Sequence, residues 1–600
     1  MTLAPKGGVV GLRSLSCILL VCPLLLQAAT PSPESKEAKT RLVALLDDDW
    51  EMRLSEDPLL ATAVGDHRFD GQLPTVGAAD EARRDAERRK LRRRLLEIDA
   101  AALDEGDRES YVLIRRELDD AIRAFELKTY RFPINADSGF HTEFARLADE
   151  VPLATTRDYE NYIARLRAFP GFARQNTDLL REGLRTGWTL PRAVLAGYDG
   201  PIRAQIVASP EKSPLYAPFA SFPPGVPEAD RARLKKAGED AIREQVLPAY
   251  SEFLEFMIRE YIPGARPTVG ASALPGGKEY YAFLVRHFTT LDVTPEQVHA
   301  IGLAEVQRIR AEMEAVIRET AFEGSFAEFL TFLRTDPRFY AKTPEELLKQ
   351  AAFTAKRIDA KLPSLFGRLP RQPYGVEPVP ADIAPKYTGG RYVPAPLDGK
   401  KAGTYWVNTY ALESRPLYVL DALTLHEAVP GHHLQIALAK ELQDLPKFRR
   451  VLYIEAFGEG WGLYSERLGL EIGLYADPYS RFGRLTYEMW RACRLVVDTG
   501  LHAMGWSRQQ AIDYLSANTA LSLHECTTET DRYISWPGQA LAYKMGELKI
   551  RELRKRAEEA LGPRFDVREF HDRVLSGGTV TLPVLEERID AWIRSVKSAP

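Results

Sequence analysis

Helical periodicity dominates the sequence and most restricts the folds available to it. Five long segments carry apolar residues at three- and four-residue spacing between charged residues, at positions 36–54, 81–103, 229–261, 294–320 and 343–362. Such spacing places the apolar residues on one helix face, which must then pack against other elements. The clearest strand candidate is 404–409, whose sequence TYWVNT is rich in aromatic and β-branched residues. The sequence therefore predicts a mainly α fold with a small β element.

Proline-rich stretches interrupt this pattern at 214–227 and 363–396. Proline ends helices because it lacks a backbone N–H donor and clashes with the preceding turn, so both stretches are predicted to be loops. The second stretch is our predicted boundary between an N-terminal helical half, 30–380, and a C-terminal half, 381–600.

The first 29 residues have the layout of a secretory signal peptide. Lys6 and Arg13 precede an apolar run at 15–26, and the small residues Ala28 and Ala29 follow it. The run is shorter than the roughly 20 apolar residues that span a bilayer, so we predict cleavage near Ala29 and no stable membrane insertion afterwards. A valine precedes the second cysteine of this region, where lipid attachment usually requires a small residue. The predicted location is periplasmic or secreted.

Composition narrows the possible partners. Hydrophobic residues make up 45% of the 600 positions, which is too many for a disordered chain. The 80 basic and 84 acidic side chains give a net charge of −4, which predicts no nucleic-acid partner. Only Cys493 and Cys526 lie outside the predicted signal peptide, and the sequence leaves open whether they pair or stay as buried free thiols. No Cys-x-x-Cys pair exists, which excludes a cysteine-rich zinc module.

The histidines are concentrated in the C-terminal half. Five of the ten lie between His426 and His524, and three of these belong to the sequence His426-Glu-Ala-Val-Pro-Gly-His432-His433. A catalytic zinc ion needs about three protein ligands and an open position for water, and two histidines of this segment supply two ligands. The carboxylate of Glu427, beside the first histidine, is then the candidate general base.

The spacing differs from the usual zinc motif, in which the second histidine follows the first by four positions. Pro430 occupies that position, so the second ligand is either His432 or His433. His433 lies closer in angle to His426 on an ideal helix, whereas a distortion at Pro430 and Gly431 favours His432. From the residues alone, both alternatives stay open.

Two acids on the following predicted helix complete the pattern. Glu455 and Glu459 are four residues apart and share a helix face, so one can bind metal while the other orients a ligand histidine. Glu459 is followed by Gly460 and Trp461, and this stretch resembles the Asn-Glu-Gly-Phe sequence in which zinc aminopeptidases hold their third ligand. The resemblance makes Glu459 the predicted ligand and Glu455 the predicted orienting residue.

Several stretches resemble the bacterial family catalogued as domain of unknown function 885, at 57–65, 289–308, 426–435, 459–461, 497–502 and 531–546. The family is similar in fold to helical zinc carboxypeptidases and oligopeptidases, whose active site lies in a groove between helical halves. The resemblance therefore implies a mainly α fold with a central cleft and a small β edge near the active site. It also implies peptide-bond hydrolysis.

The related peptidases bear on the choice of second histidine. Oligopeptidases read His-Glu-Phe-Gly-His, and dipeptidyl peptidase III-type enzymes read His-Glu-Leu-Leu-Gly-His, so Gly-His ends the motif while residues are inserted before it. The present sequence extends this series by one more residue. By this analogy the second ligand is His432 and not His433.

The resemblance also locates residues that are expected to face the cleft. Hydrolysis builds negative charge on the carbonyl oxygen, and Tyr533, Tyr543 and His502 are the candidates to stabilise it. We predict catalytic roles for Tyr533 and His502, and substrate binding for Tyr543. A peptide carboxylate is best held by a guanidinium group, for which Arg532 is the first choice and Arg494 the weaker one.

The predicted strand also contributes a candidate substrate-binding residue. Asn408, in the predicted strand 404–409, is expected to contact substrate backbone, because an edge strand can pair with an extended peptide. His524 is interpreted as a chance neighbour of the cluster.

Together these features predict an exported zinc peptidase in which His426, His432 and Glu459 bind the metal and Glu427 activates water. The two halves are interpreted as one continuous catalytic module whose C-terminal half carries the site, with a peptide as substrate partner. One alternative keeps the metal but hydrolyses another amide or ester, such as one in the cell wall. The other is a catalytically silent peptide-binding protein, against which Glu427 argues, since a binding module has no evident need for that carboxylate.

Overall fold

The computed structural model describes residues 32–136, 138–381, 383–395 and 401–598. The predicted signal peptide lies outside the described residues. Helices make up most of these ranges and the strands form one small sheet, so the predicted mainly α fold is confirmed. No helix in the described part of the chain is both long and apolar enough to cross a bilayer.

The helices that precede the sheet are α1 (Pro33–Glu56), α2 (Pro58–Ala63), α3 (Ala78–Leu96), α4 (Glu105–Glu126), α5 (Phe140–Phe144), α6 (Leu147–Glu150), α7 (Thr156–Thr186), α8 (Asp199–Ala204), α9 (Ala217–Ala220), α10 (Glu228–Ala241), α11 (Leu247–Phe256), α12 (Ile262–Gly264), α13 (Gly277–Thr289), α14 (Pro295–Glu319), α15 (Phe326–Thr335) and α16 (Pro344–Asp359). The helices that follow it are α17 (Leu420–Glu427), α18 (His432–Lys440), α19 (Lys447–Val451), α20 (Glu455–Glu471), α21 (Pro478–Ala503), α22 (Arg508–Asn518), α23 (Leu523–Ser535), α24 (Ala542–Leu561), α25 (Val567–Leu575) and α26 (Leu582–Ser598).

Most predicted helical segments agree with these bounds. Segments 36–54, 294–320 and 343–362 correspond to α1, α14 and α16, and 229–261 is one continuous run in which two π-helical turns join α10, α11 and α12. Segment 81–103 is not a single helix, because α3 ends at Leu96. The Asp99 side chain accepts the N–H of Ala101 and begins a separate 3-10 turn.

The sheet has three strands, β1 (Tyr374–Pro378), β2 (Gly390–Val393) and β3 (Gly403–Val407), in the order β1-β3-β2. Strand β3 pairs in parallel with β1 and antiparallel with β2. The predicted strand 404–409 therefore exists but ends at Val407 and lies at the centre of the sheet. The expected edge position is wrong for this strand, because β1 and β2 pair with both of its sides. Both lie in the proline-rich stretch that was predicted to be loop.

Helix α21 runs through the middle of the molecule. Every residue from Phe482 to His502 is buried, and α14 packs along this helix. Cys493 on α21 and Cys526 on α23 are both buried free thiols, which answers the question of pairing for this structure. Because α14 precedes the predicted boundary at 380, helices of both halves share the core around α21.

Helices α20 and α24 approach each other unusually closely through two glycines. A Cβ on Gly546 would lie 1.8 Å from the carbonyl oxygen of Ala456, and one on Gly460 would lie 2.6 Å from the Cα of Gly546. Only glycine permits this contact of backbones. The glycines of the Glu-Gly-Trp and Tyr-Lys-Met-Gly stretches thus fix the helix that carries Glu459 against α24.

Candidate metal centre

Two short helices carry the histidine motif. Helix α17 ends at Glu427 and α18 begins at His432, with four residues between them. The N–H of Gly431 donates to the carbonyl of Leu425 at 3.0 Å. A Cβ on Gly431 would lie 1.9 Å from the carbonyl oxygen of His426, so this return of the chain requires glycine. The anticipated distortion is thus a full break, and it redirects the histidines of α18.

The break brings His426 and His432 together with Glu459 of α20. The Nε2 atoms of both histidines lie 3.4 Å from Oε2 of Glu459, and the two ring centroids are 4.9 Å apart. One ligand atom from each of the three residues lies within 4.8 Å of the others. Ligand atoms around a tetrahedral zinc ion, at bond lengths of about 2.0–2.1 Å, are separated by about 3.3 Å. The spacing and the donor set, two imidazoles and one carboxylate, both fit zinc. We refer to these three residues as the triad.

Gly462 makes room for the first histidine of the triad. A Cβ at this position would lie 2.7 Å from Cε1 and Nε2 of His426. Because Gly462 follows Glu459 by three positions on α20, it shares the helix face that approaches α17. The second glycine of the Glu-Gly-Trp-Gly stretch is therefore part of the construction of the site.

Glu466 orients His426, and the sequence reasoning missed it. Its Oε1 lies 2.8 Å from Nδ1 of His426, and both side chains are buried. A carboxylate on the second ring nitrogen fixes the orientation of a ligand histidine. The role predicted for Glu455 belongs to Glu466 in the structure. The available signal was its position seven residues after Glu459, two helical turns along the same face.

The general-base candidate is held by the sheet. Glu427 is buried, and its Oε2 accepts the backbone N–H of Tyr392 on β2 at 2.8 Å. Tyr392 belongs to the edge strand, so this N–H points away from β3. The predicted β edge beside the site is therefore present, but it is formed by β2. The sequence carried no signal for this contact, because it joins residues 35 positions apart through a backbone group.

Tyr453 contacts the other oxygen of Glu459. Its hydroxyl donates to Oε1 at 3.3 Å, which leaves Oε2 to face the two histidines. Tyr453 is 41% exposed as a whole, but desolvation of its hydroxyl, together with Glu459 and Tyr543, raises the pKa of this group well above its usual range. The hydroxyl therefore stays protonated near neutral pH and can act as a donor. Tyr453 was not among the predicted site residues, because it lies before α20 and outside the motifs on which the prediction rested.

Carboxylates dominate the electrostatics of the triad. Burial lowers the pKa of His426, but Glu459, Glu466 and Glu427 outweigh burial and raise it to about 10. Burial raises the pKa of Glu459, but His432 and His426 outweigh it and hold the pKa well below its usual range. The site thus favours positive charge in a buried location, which is the electrostatic condition for binding a cation.

His433 points away from the triad. Its Nδ1 lies 3.0 Å from the hydroxyl of Tyr392, and its ring packs 4.6 Å from that of Tyr374. Burial lowers its pKa to about 4, so this imidazole is neutral. The geometry therefore pairs His432, and not His433, with His426.

Of the two predicted tyrosines on α23 and α24, only Tyr543 lies beside the triad. Its ring centroid is 6.4 Å from that of His426 in a stacked arrangement. Tyr533 is buried elsewhere, where its hydroxyl accepts N–H groups of Trp490 at 2.8 Å and Arg494 at 2.9 Å. The structure therefore does not bring Tyr533 to the metal centre.

His502 and Asn408 are also occupied by backbone groups. Nδ1 of His502 accepts the N–H of Ala271 at 2.9 Å, its Nε2 lies 3.0 Å from the carbonyl of Tyr533, and burial lowers its pKa to about 3. Neither ring nitrogen is available to a substrate. Asn408 is buried beyond the end of β3 and donates to the carbonyls of Ala384, Tyr387 and Thr388. It organises the loop before β2 and does not reach the edge of the sheet.

The predicted arginines lie outside the triad. Arg494 is buried and pairs with Glu529 at 2.9 Å, while Arg532 lies beside Gln539 and over the ring of Trp536. The described residues instead place Arg391, on β2, near the site. Arg391 is exposed on β2, and desolvation lowers its pKa, but Tyr387, Glu427 and Glu459 outweigh this effect and raise the pKa overall. His524 is exposed at the start of α23, in keeping with its interpretation as a chance neighbour.

Residues 58–589 match the family described as bacterial protein of unknown function (DUF885). The chain belongs to this family. The match contains the whole triad together with Glu427 and Glu466. It confirms the family resemblance seen in the sequence.

Two solved structures resemble this DUF885 protein. A crystal structure of a candidate lipoprotein from Colwellia psychrerythraea has a TM-score of 0.86 and 29% identity, and the match covers 93% of this chain and 100% of that one. A candidate lipoprotein of unknown function from Shewanella oneidensis has a TM-score of 0.69 and 18% identity, with coverage of 92% and 99%, and shows the fold alone. No curated protein matches the sequence. Fold and family are thereby established, and none of these relatives brings an activity with it.

Proposed function

We propose that this DUF885 protein is an exported, zinc-dependent hydrolase that cleaves peptide bonds in short peptides. The observation that carries the proposal is the convergence of two imidazole Nε2 atoms on one oxygen of Glu459, each at 3.4 Å. Glu427 is adjacent in sequence to His426 and is held in place by the backbone. Ligands, an orienting carboxylate and a separate carboxylate base are the parts that metal-assisted hydrolysis requires.

The roles of the chain's own groups follow from their contacts. When bound, zinc supplies Lewis acidity that polarises a carbonyl group and lowers the pKa of water. Glu427 accepts the proton of the attacking water and returns it to the leaving amine. Since the N–H of Tyr392 holds Oε2 of Glu427, the other oxygen is the one that takes the proton.

Two tyrosines and an arginine are the donors for the carbonyl oxygen. Tyr453 donates to the metal-ligating carboxylate, Tyr543 stacks near His426, and the charge of Arg391 interacts with those of Glu427 and Glu459. Donors placed where negative charge develops lower the barrier of acyl transfer. We assign this role to Tyr453, Tyr543 and Arg391, in place of Tyr533 and His502.

The depth of the triad supports short or unfolded substrates. The side chains of His426, His432 and Glu459 are 2%, 10% and 15% exposed. A folded protein surface does not reach groups so deep, whereas an extended peptide can. Peptides are therefore favoured over intact proteins as substrates.

Export is supported by two independent observations. The first 29 residues have the layout of a signal peptide, and both structural relatives are named as candidate lipoproteins. A location outside the cytoplasm places the enzyme where short peptides from the surroundings or the cell wall are available.

The mechanism is tested by replacing the general base. Glu427→Gln should lower kcat/KM for an unstructured peptide library, followed by mass spectrometry, by about 100-fold or more, while zinc content stays unchanged. Glu441→Gln, at the end of α18 and outside the triad, is the matched control and should keep both properties. Wild-type activity in Glu427→Gln would refute the mechanism. Zinc binding without hydrolysis of any library peptide would refute the peptide substrate and favour another amide or an ester.

A further inference from the structure

A cavity of about 510 Å³ lies between the N-terminal half and the segment that joins α23 to α24. Its walls come from α4, the segment after α4, α13, and residues 534–537. The volume lies within the roughly 300–1,000 Å³ that is typical of ligand pockets. None of the predicted site residues lines the cavity.

Three carboxylates line this cavity, and two of them are weakly paired or unpaired with positive side chains of the described residues. Asp120 is paired with Nδ1 of His287 at 2.8 Å. Glu117 has a single long ion pair, 3.7 Å from Arg53, and within the described ranges neither Glu117 nor Glu143 accepts a hydrogen bond. The Glu117 side chain is 27% exposed and Glu143 is exposed, although partial desolvation in the cavity wall raises the pKa of both carboxyl groups. A carboxylate that is partly desolvated and has no close cationic partner gains free energy when a cation binds beside it.

Arg266, in the cavity wall, is not the cation that pairs with these carboxylates. Arg266 donates its N–H groups to the backbone carbonyls of Thr189, Thr268 and Gly270 at 2.6–2.8 Å. Its guanidinium is therefore committed to the loop that it organises. The cavity is left with acidic groups that are open to an incoming partner.

Aromatic rings form much of the remaining wall, namely Phe132, Tyr280, Phe283, Phe288 and Trp536. The faces of aromatic rings attract ammonium and guanidinium groups, and the attraction increases when the group is shielded from water. Rings and carboxylates thus favour the same kind of ligand, a desolvated organic cation.

The cavity adjoins the metal centre through α13 and α20. Helix α13 packs against α20 and α24, which carry Glu459 and Tyr543. Glu455, one turn before Glu459, interacts electrostatically both with the triad and with residues of the cavity. Burial, Glu459 and Glu117 raise the pKa of Glu455, whereas His287 lowers it. Glu455, in the first turn of α20, therefore lies between the cavity residues Glu117 and His287 and the triad.

We propose that this cavity binds a positively charged group of the substrate, an ammonium or guanidinium, while the adjoining peptide backbone reaches the triad. The proposal rests on the proposed peptidase function and deepens it, because it selects peptides with a free amino terminus or a basic side chain. Glu117 and Glu143 pair with the cation, and the aromatic walls enclose it.

The test measures binding without turnover. Calorimetry on Glu427→Gln protein uses four probes, Lys-Phe-Ala, norleucine-Phe-Ala and the N-acetyl form of each. We expect N-acetyl-norleucine-Phe-Ala, the probe without a positive charge, to bind at least about tenfold more weakly than Lys-Phe-Ala. Comparing norleucine-Phe-Ala with N-acetyl-Lys-Phe-Ala shows whether the terminal amine or the side chain supplies the charge.

Variants of the cavity carboxylates test whether the preference for positively charged probes arises in this cavity. Adding Glu143→Gln, which removes no side-chain hydrogen bond or ion pair within the described residues, or Glu117→Gln should reduce the charge preference about tenfold. Adding Glu126→Gln, on α4 outside the cavity, should leave it unchanged. Equal affinity for all four probes, or a preference that survives loss of both Glu117 and Glu143, overturns the proposal. Charge-dependent binding by a protein that hydrolyses no peptide would leave the cavity assignment intact and refute only the peptidase.

Discussion

Asp498 is a carboxyl group of α21 with no solvent exposure. It accepts the hydroxyl of Tyr281 at 2.6 Å and the N–H of Gly538 at 3.1 Å. Burial raises its pKa to about 7, although these hydrogen bonds and Arg494 act in the opposite direction. Asp498 therefore ties α13 and the segment before α24 to the central helix.

The stability of the protein should depend on the protonation of Asp498. Its pKa is about 3.9 in an unfolded chain, so the folded state holds the proton more tightly between pH 4 and 7. The stabilisation by the protonated Asp498 carboxyl group is complete below pH 4 and is lost as the pH rises through 7. Asp498→Asn keeps an acceptor oxygen and cannot ionise. Between pH 4 and pH 8, the free energy of unfolding of wild type should therefore fall by on the order of 2–4 kcal/mol more than that of Asp498→Asn.

Urea unfolding of wild type and Asp498→Asn at pH 4, 6 and 8 measures this difference. A difference between the two proteins that stays constant across this pH range would show that Asp498 keeps an ordinary pKa in the folded state.

At the scale of residues, short sequence motifs predicted the triad, whereas the residues that support it through packing of the helices were not predicted. His426, His432 and Glu459 stand in short motifs whose residue types are those that zinc prefers as ligands. Glu466 reaches His426 only because α17 packs against α20, and Tyr453 reaches Glu459 from the segment before α20. His502 and Tyr533 lie in equally suggestive stretches, but backbone and side-chain partners from other elements occupy their polar atoms. Residue type alone does not distinguish an occupied histidine or tyrosine from a free one.

At the scale of elements, a buried ion cluster joins α14, α21 and α24. The ammonium group of Lys544 has no exposure and lies 2.9–3.0 Å from Glu305, Glu488 and Glu547. Removing one partner from a buried pair leaves uncompensated charge and costs about 3–5 kcal/mol. We expect Lys544→Met to lower the thermal midpoint clearly.

Lys549→Met is the matched control on the same helix, because Lys549 is partly exposed and pairs with Glu552 and Glu586. Exposed pairs contribute about 1 kcal/mol or less. Equal thermal midpoints for the two variants would contradict a stabilising role for the buried cluster.

Helices were predicted more successfully than strands, for a physical reason. The apolar faces of α1, α14 and α16 repeat over many turns, so each segment carries its own signal. Strands β1 and β2 are five and four residues long and lie among prolines. Their pairing depends on β3, which is separated from them in sequence, and so does the position of β3 at the sheet centre.

At the scale of the whole molecule, the two predicted halves share one core. Helix α14 packs along α21, and buried residues from Ala38 to Ile593 belong to one hydrophobic cluster. A fragment of residues 381–600 would expose the face of α21 that α14 covers. We expect this fragment to show much less helical circular dichroism per residue than the full chain and to bind no zinc. A folded fragment that binds zinc would show that the C-terminal half is independent.

The zinc content of the purified protein tests the central claim most directly. Elemental analysis should find about one zinc per chain in the wild type and none in His426→Ala or His432→Ala. His433→Ala should retain the metal, because His433 faces Tyr374 and Tyr392 and not Glu459. Absence of zinc from wild-type protein supplied with the metal, or full zinc retention in His432→Ala, would contradict the assigned metal centre.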